Sequence, residues 1–232
     1  MNQAFVVGRV ALRELWITYR LLLILVAFIG ASAIVVLLPA APAVTMDRLA
    51  LGLGAATVAA SSVAAWTMAT ERGAGRAGWL VTRSVPRGTY LGGWLLGLGV
   101  VTVVGVIGSA LLGWLTTLGL AVRIDPVAYA TAVLAVATTA TAAVALGLAV
   151  GALLPPLPAA IVAAAACGIS GIVILLASGG STAVPGAAYL LFSRLTVPGS
   201  VLPDAVRAAG VGLVQTAVLF VIARAAMERA EL

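Results

Sequence analysis

The sequence predicts an all-α membrane protein with six transmembrane helices, an N-terminal interfacial helix, a cytoplasmic coupling hairpin and short extracytoplasmic helices before the last span. Of the 232 residues, 63% are hydrophobic and only 9% are charged, with a mean hydropathy of +1.21. About a quarter of the residues of a soluble domain are charged. Long charge-free intervals recur along the chain, and a bilayer needs about 20 apolar residues per helix. Residues 1–232 are therefore predicted to form a single transmembrane domain.

Residues 1–20 are predicted to form a helix that lies along the membrane surface. At helical spacing, Val7, Ala11 and Leu15 share an apolar face. The opposite, interfacial face carries Arg9, Arg13, Trp16 and Arg20. A secretory signal peptide is the alternative, because the small residues at 41–43 resemble a cleavage site. The uncharged run 21–46 is too long for the apolar part of a signal peptide, which favours an uncleaved first span.

The charge-free intervals predict where the chain crosses the membrane. The interval 126–193 is too long for one helix. Pro155, Pro156 and Pro158 divide it, because prolines remove backbone donors and stop a helix. Short links on the outer side are predicted near Asp47 and Asp125. The predicted spans are 21–40, 49–70, 89–120, 126–154, 159–177 and 207–227.

The distribution of arginine predicts the orientation. If the N-terminus is inside, nine of the thirteen arginines lie on the cytoplasmic side and four lie outside, as the positive-inside rule requires. Both termini and the hairpin 71–88 are therefore predicted to be cytoplasmic, with the protein in the plasma (inner) membrane. The outer segment 178–206 contains an apolar stretch, 187–195, that is too short to span, so a short helix or re-entrant turn is expected there.

The hairpin 71–88 is the most charged part of the chain, and lipid cannot solvate so many guanidinium groups. Its middle mixes apolar and polar residues in a short amphipathic pattern that ends at Pro86. Such a segment can dock on another protein. The alternative is that its arginines only anchor the loop to lipid headgroups.

The residue types exclude several kinds of chemistry. The chain has no lysine and no histidine, so it offers no P-loop lysine, no imidazole base and no histidine-bound metal. A G-x-G-x-x-G pattern at 73–78 follows no strand and has no acidic residue about 20 positions on, which argues against a dinucleotide site. We therefore expect no catalytic residue, no metal and no cofactor in this chain. The excess of arginine over acidic residues predicts contact with membrane lipids and not with nucleic acid.

The predicted spans contain no ionisable residue near a midplane, which argues against ion-coupled transport. Gln215 is the most polar position inside a span, and a hydrogen bond between helices is a likelier role for it than substrate contact. Cys167, the single cysteine, is read as an apolar filler.

Small residues recur at helix-packing spacing in several spans. They are Gly93 with Gly97, Gly147 with Gly151, and Ala164 with Gly168. Such pairs let two helix backbones approach closely. They predict packing within the bundle or between protomers.

The order of features around the hairpin resembles the membrane subunits of ABC-2 type exporters. Glu71-Arg72 after the second span is followed by a glycine, by Trp79-Leu80, by Val85-Pro86-Arg87, by Tyr90 and by a glycine-rich third span. The resemblance covers the whole chain in architecture: an interfacial helix, six spans, cytoplasmic ends and short outer helices before the last span.

The resemblance implies that this chain is half of a transmembrane pathway, paired with a second copy or a related permease chain. Separate ABC ATPase subunits, with their ATP and Mg²⁺, would dock beneath it. The coupling residues would be Glu71, Arg72, Arg76, Trp79, Leu80, Arg83, Pro86 and Arg87. The substrate would be amphipathic or hydrophobic, such as a lipid, a peptide or a drug-like compound, moved outward. The competing function is a non-transporting scaffold or regulatory subunit of a membrane complex.

Overall fold

Within a bilayer the backbone can satisfy its polar groups only inside helices or closed barrels, and the chain uses helices. The computed structural model describes residues 3–38, 40–75, 85–118, 124–177, 188–196 and 201–229, with side chains omitted for 170–177. No strand occurs in these ranges. The helices are α1 (Gln3–Ile17), α2 (Arg20–Leu37), α3 (Pro42–Gly73), α4 (Arg87–Leu118), α5 (Pro126–Gly151), α6 (Pro156–Ala177), α7 (Leu190–Arg194) and α8 (Leu202–Arg229).

Five of these helices are long and apolar enough to cross a membrane, namely α2, α3, α4, α5 and α8. The protein is thus an all-α, multi-pass membrane protein. Helix α6 is 22 residues long, and the apolar part with described side chains is Pro156–Ile169. At ~1.5 Å per residue, the 32 residues of α3 measure about 48 Å, more than the roughly 30 Å of a hydrocarbon core. The ends of α3 must therefore reach the headgroup layer or water.

Several helix boundaries differ from those predicted from charge. Helix α3 begins at Pro42, so Asp47 and Arg48 lie inside a helix and not in a link between spans. Proline fits the first helical position because it has no N–H to leave unsatisfied. A charged residue near a helix end can reach the interface without ending the helix. For the same reason α8 begins at Leu202, ahead of Arg207.

Smaller shifts occur at other ends. Helix α1 stops at Ile17, and Arg20 is the first residue of α2. Between them Tyr19 adopts a left-handed backbone conformation, with φ of 59°, which turns the chain. Helix α5 ends at Gly151 instead of residue 154, and α6 begins at Pro156 instead of residue 159. Helix α4 begins at Arg87 instead of residue 89, and residues 119 and 120 lie outside the described residues.

Helices α3 and α5 form the centre of the bundle. Helix α3 packs against α2, α4, α5, α6 and α7, and α5 packs against α3, α4 and α8. In the most apolar stretch of α5, 67% of the residues are buried inside the protein, against 28% for α2 and 22% for α8. Most of the buried residues of α5 are alanines. Their small side chains allow the neighbouring helices to approach closely. Helices α2 and α8 are accordingly the peripheral ones.

Hydroxyl groups join α2 to α4 inside the bundle. The Ser32 and Ser109 hydroxyl oxygens lie 2.6 Å apart, and the Ser109 hydroxyl donates to the Phe28 carbonyl at 3.0 Å. The Tyr129 hydroxyl of α5 donates to the Ala110 carbonyl of α4 at 2.6 Å. Since water and lipid offer little competition there, such bonds fix the register of neighbouring helices.

The short helix α7 covers one end of the bundle. The predicted apolar stretch 187–195 contains it, and Leu191 and Phe192 are buried. The Phe192 ring meets Tyr129 edge-on, with ring centroids 5.4 Å apart. Arg194 and Asp204 form an ion pair at 3.4 Å that connects α7 to the first turn of α8. Residues 178–187 of the predicted outer segment lie outside the described residues.

The start of α1 and the end of α8 lie together at the opposite end of the bundle, where Ala4 and Glu228 line one groove. Helix α1 packs along the first turns of α4, beside Gly93 and Gly97. Arg87, the first residue of α4, contacts the last turn of α8. We call this the basic end of the bundle: α1, the start of α4 and the ends of α3, α5 and α8.

Candidate functional site

Arg72 connects the end of α3 to the end of α5. It lies in the last turn of α3. One guanidinium nitrogen donates to the Ala152 carbonyl at 2.8 Å and another to the Leu154 carbonyl at 3.1 Å. Ala152 caps α5, where a carbonyl has no partner within the helix and carries the negative end of the helix dipole; Leu154 lies just beyond the helix. The planar, two-pronged guanidinium group satisfies both oxygens at once.

Arg87 makes the equivalent connection between α4 and α8. Its guanidinium group donates to the Met227 carbonyl at 3.0 Å and to the Glu228 carbonyl at 2.8 Å. Arg72 and Arg87 flank the hairpin in the sequence, and we call them the two clamp arginines. Each ties one side of the hairpin to the C-terminal end of a helix distant in sequence.

Glu71 and Pro86 stand next to the clamp arginines. The Glu71 side chain is buried, with 5% of its surface exposed. Pro86 is exposed, and its carbonyl accepts the Tyr90 N–H at 3.0 Å, which closes the first turn of α4. Proline therefore occupies the position from which this helix starts.

The other four predicted coupling residues, Arg76, Trp79, Leu80 and Arg83, lie outside the described residues. The site that the structure describes is thus the base of the hairpin. At this base the predicted charged residues are used partly within the protein itself: Arg72 and Arg87 hold helix ends.

Helix α1 presents two different faces. Ala11 and Leu15 are buried and Val7 is half-buried, so the apolar face packs on the bundle. Arg9 and Arg13 are exposed on the other side. Trp16, with 63% of its surface exposed, lies beside them. This arrangement of basic and aromatic side chains suits the headgroup layer of a membrane.

The glycine pairs lie where helices come closest. A Cβ atom at Gly93 would overlap Val7 of α1, and one at Gly97 would lie 3.1 Å from the Ala11 Cβ. A Cβ atom at Gly147 would overlap the Ser61 carbonyl of α3. One at Gly151 would overlap the Ala65 carbonyl.

The remaining positions that the sequence singled out in the spans are Ala164 with Gly168, the polar residue Gln215, and Cys167. Gly168 has nothing within 4 Å of where a Cβ would stand, so no described residue packs closely against Gly168. The Gln215 side chain is half-buried. Its neighbour Thr216 donates to the Gly212 carbonyl of its own helix at 2.8 Å. Cys167 is half-buried in α6.

Sequence reasoning missed the acceptors of the clamp arginines and the pair formed by Arg224 and Glu228. Arg224 Nε lies 2.8 Å from Glu228 Oε1, one turn apart on α8. The i, i+4 spacing of opposite charges near the end of the last span was the signal that could have indicated this pair.

The described side chains at the basic end include guanidinium groups that contact helix ends. Within the described ranges, no group of three or more His, Cys, Asp or Glu residues could hold a metal ion. The described side chains can hold helix ends, bind anions and meet another protein. A comparison with protein-family models and with curated proteins finds no match to this chain.

Proposed function

We propose that this chain is the permease subunit of an ABC exporter of the ABC-2 type, driven by separate ATPase subunits that bind ATP and Mg²⁺. The observation that carries the proposal is the pair of clamp arginines. The hairpin joins α3 to α4, Arg72 ties its first side to α5, and Arg87 ties its second side to α8. A partner that moves the hairpin would therefore act on four long helices together.

The positions of the chain ends favour six crossings with both termini on the cytoplasmic side. The start of α1 and the end of α8 lie at the same end of the bundle, which supports an even number of crossings. Five helices are long enough to cross, and α6, with 22 residues or about 33 Å of helix, is the proposed sixth. The arginine distribution favours a cytoplasmic basic end, and the proposed location is the plasma (inner) membrane.

The proposed pathway is completed by a second permease copy or a related chain. Helices α2 and α8 have the smallest buried share among the five long helices and leave most of their apolar surface for lipid or another protomer. An uncharged pathway suits an amphipathic or hydrophobic substrate, such as a lipid, a peptide or a drug-like compound, exported from the inner leaflet.

Labelling of single cysteines in sealed membrane vesicles tests the topology. In a Cys167→Ser background, Gly73→Cys and Arg229→Cys should react with an impermeant maleimide from the same side. Val127→Cys, exposed at the start of α5, should react only from the other side. Labelling of positions 73 and 229 from opposite sides would mean an odd number of crossings and would contradict the proposed six.

Co-purification tests the function. The tagged protein from its native host should bring down an ATPase whose hydrolysis rate changes when Arg76→Glu is introduced. Arg13→Glu, which alters an exposed arginine on α1, is the matched control and should leave that rate unchanged. A partner that carries no nucleotide-binding sequence would instead support the alternative, a scaffold or regulatory subunit of a membrane complex.

A further inference from the structure

A groove of about 540 Å³ opens at the basic end, between α1, the first turns of α4 and the last turns of α8. Arg87, Gly88, Thr89 and Gly92 of α4 line one side. The other side is formed by Ala4 of α1 and by three residues of α8, Phe220, Arg224 and Glu228. The groove is therefore lined by charged side chains and by the apolar side chains of Phe220 and Ala4.

The missing side chains of two glycines shape the groove. A Cβ atom at Gly88 would lie 3.4 Å from Arg224 Cδ and 3.6 Å from its Nε. Arg224 thus extends across the first turn of α4, close to its backbone. A Cβ atom at Gly92 would lie 3.8 Å from the ring of Phe220. Any larger side chain at these two positions would project into the space.

The charges around the groove are unequal. Two guanidinium groups, of Arg87 and Arg224, face one carboxylate, that of Glu228. Arg87 is held by backbone carbonyls. The Arg224 and Glu228 side chains remain 59% and 49% exposed despite their ion pair. The Thr89 hydroxyl has no hydrogen-bond partner among the described residues. An anion with several acceptor oxygens would therefore find unused donors here.

The depth of the groove in the membrane indicates that the anion is part of a lipid. Helix α8 has 28 residues, or about 42 Å at ~1.5 Å per residue, which exceeds a hydrocarbon core of about 30 Å. Its last turns carry Arg224, Glu228 and Arg229 and therefore lie at the headgroup layer, because lipid does not solvate such charges. The first turn of α4 is at the same level, since Arg87 contacts the last turn of α8. A lipid phosphate at this level would meet the arginines, and the apolar part of the lipid would meet Phe220.

We propose that this groove binds the phosphate headgroup of an anionic phospholipid, with Arg224 and Thr89 as its donors and Phe220 against its glycerol and upper acyl region. Glu228 competes with the phosphate for Arg224. This proposal rests on the shape and charges of the groove, and it does not depend on an ATPase partner.

Native mass spectrometry of the delipidated, detergent-solubilised protein tests the proposal. The probes are phosphatidylglycerol and phosphatidylcholine with identical acyl chains. We expect one phosphatidylglycerol molecule to bind at least about tenfold more tightly than phosphatidylcholine, since only the former carries net charge. Arg224→Gln should abolish this preference, and Glu228→Gln should strengthen binding because it frees Arg224.

Two further variants separate the groove from general surface charge and from folding defects. Gly92→Leu keeps both guanidinium groups but fills the groove, and it should also lose the preference. Arg207→Gln removes an exposed arginine near the start of α8 that does not line the groove, and it should bind like the wild type. Helical content and gel-filtration behaviour must match the wild type in every variant that is compared.

The opposite results would overturn the proposal. Retention of the lipid preference in both Arg224→Gln and Gly92→Leu would remove the groove as the site. An equal loss in Arg207→Gln would mean diffuse attraction to the net positive charge of the protein. Competition by millimolar inorganic phosphate would identify a site for a free anion and not for a lipid.

Discussion

The contact between α3 and α5 gives the sharpest prediction, through the substitution Gly147→Ala. A Cβ atom at this position would overlap the Ser61 carbonyl, lie 2.9 Å from the Ala64 Cβ and lie 3.1 Å from the Ala65 nitrogen, whereas ordinary contact begins at 3.4 Å. The crowding atoms are backbone or Cβ atoms, so no side chain can rotate away. The two central helices would have to move apart.

The expected cost follows from two opposing effects. Overpacking of a close-packed interior costs about 1–3 kcal/mol, with the upper part of the range where the neighbour is rigid. Replacing a helical glycine with alanine stabilises the helix by up to ~1 kcal/mol, because alanine has the higher helix propensity. We expect a net loss of about 2 kcal/mol. For a chain of this size that corresponds to a fall of roughly 4–8 °C in the melting temperature.

Gly108→Ala is the matched control, because nothing lies within 4 Å of its Cβ position on α4. It should leave the melting temperature unchanged or raise it slightly, since only helix propensity changes. Both variants are to be melted in the same lipid nanodisc and followed by circular dichroism. A melting temperature for Gly147→Ala equal to that of Gly108→Ala would refute the close contact between α3 and α5.

Three other predictions concern specific hydrogen bonds. Arg87→Met keeps the apolar stem but removes a charge-assisted bond worth about 1.5–3 kcal/mol, so amide exchange at 220–229 should speed up by at least about tenfold. Arg229→Met at the same helix end is the control, and equal exchange in the two variants would disprove the clamp. Arg72→Lys should likewise speed amide exchange at 148–154, because one ammonium group cannot replace the planar two-pronged contact. An unchanged amide exchange rate would show that the charge alone is sufficient. Ser109→Ala should lower the unfolding free energy by about 0.6–1.7 kcal/mol, and Ser32→Ala with Ser109→Ala should cost less than the sum of the two single changes. Strict additivity would mean that the two hydroxyls do not interact.

The starts of two helices differ from those that the charge pattern of the sequence predicted. Charges at Asp47 and Arg48 predicted a link, but Pro42 starts the helix and the charged residues lie within its first two turns. The same reliance on charge placed the start of the last helix at 207 instead of Leu202. A charged side chain marks the depth at which it can reach water, which is not the residue at which a helix starts.

The candidate site was predictable only in part. The sequence marked Arg72 and Arg87 as unusual because they interrupt an apolar chain. It gave no sign of what they bond. Their acceptors are backbone carbonyls 80 and 140 residues away, and a carbonyl has no residue type by which a pattern could recognise it. Likewise, the groove at Arg224 needs three helices to meet before it exists.

An all-α, multi-pass membrane protein can be predicted from the residues alone, because hydrophobicity, proline and glycine act on the chain locally. The apolar face of α1 can be predicted in the same way, and its side chains at Ala11 and Leu15 are buried. The central position of α3 and α5 becomes visible when the helices pack, since many of these spans are similarly apolar. The order of packing depends on which small residues meet across helices, as Gly147 meets Ser61, and that is a property of pairs of helices and not of any one segment.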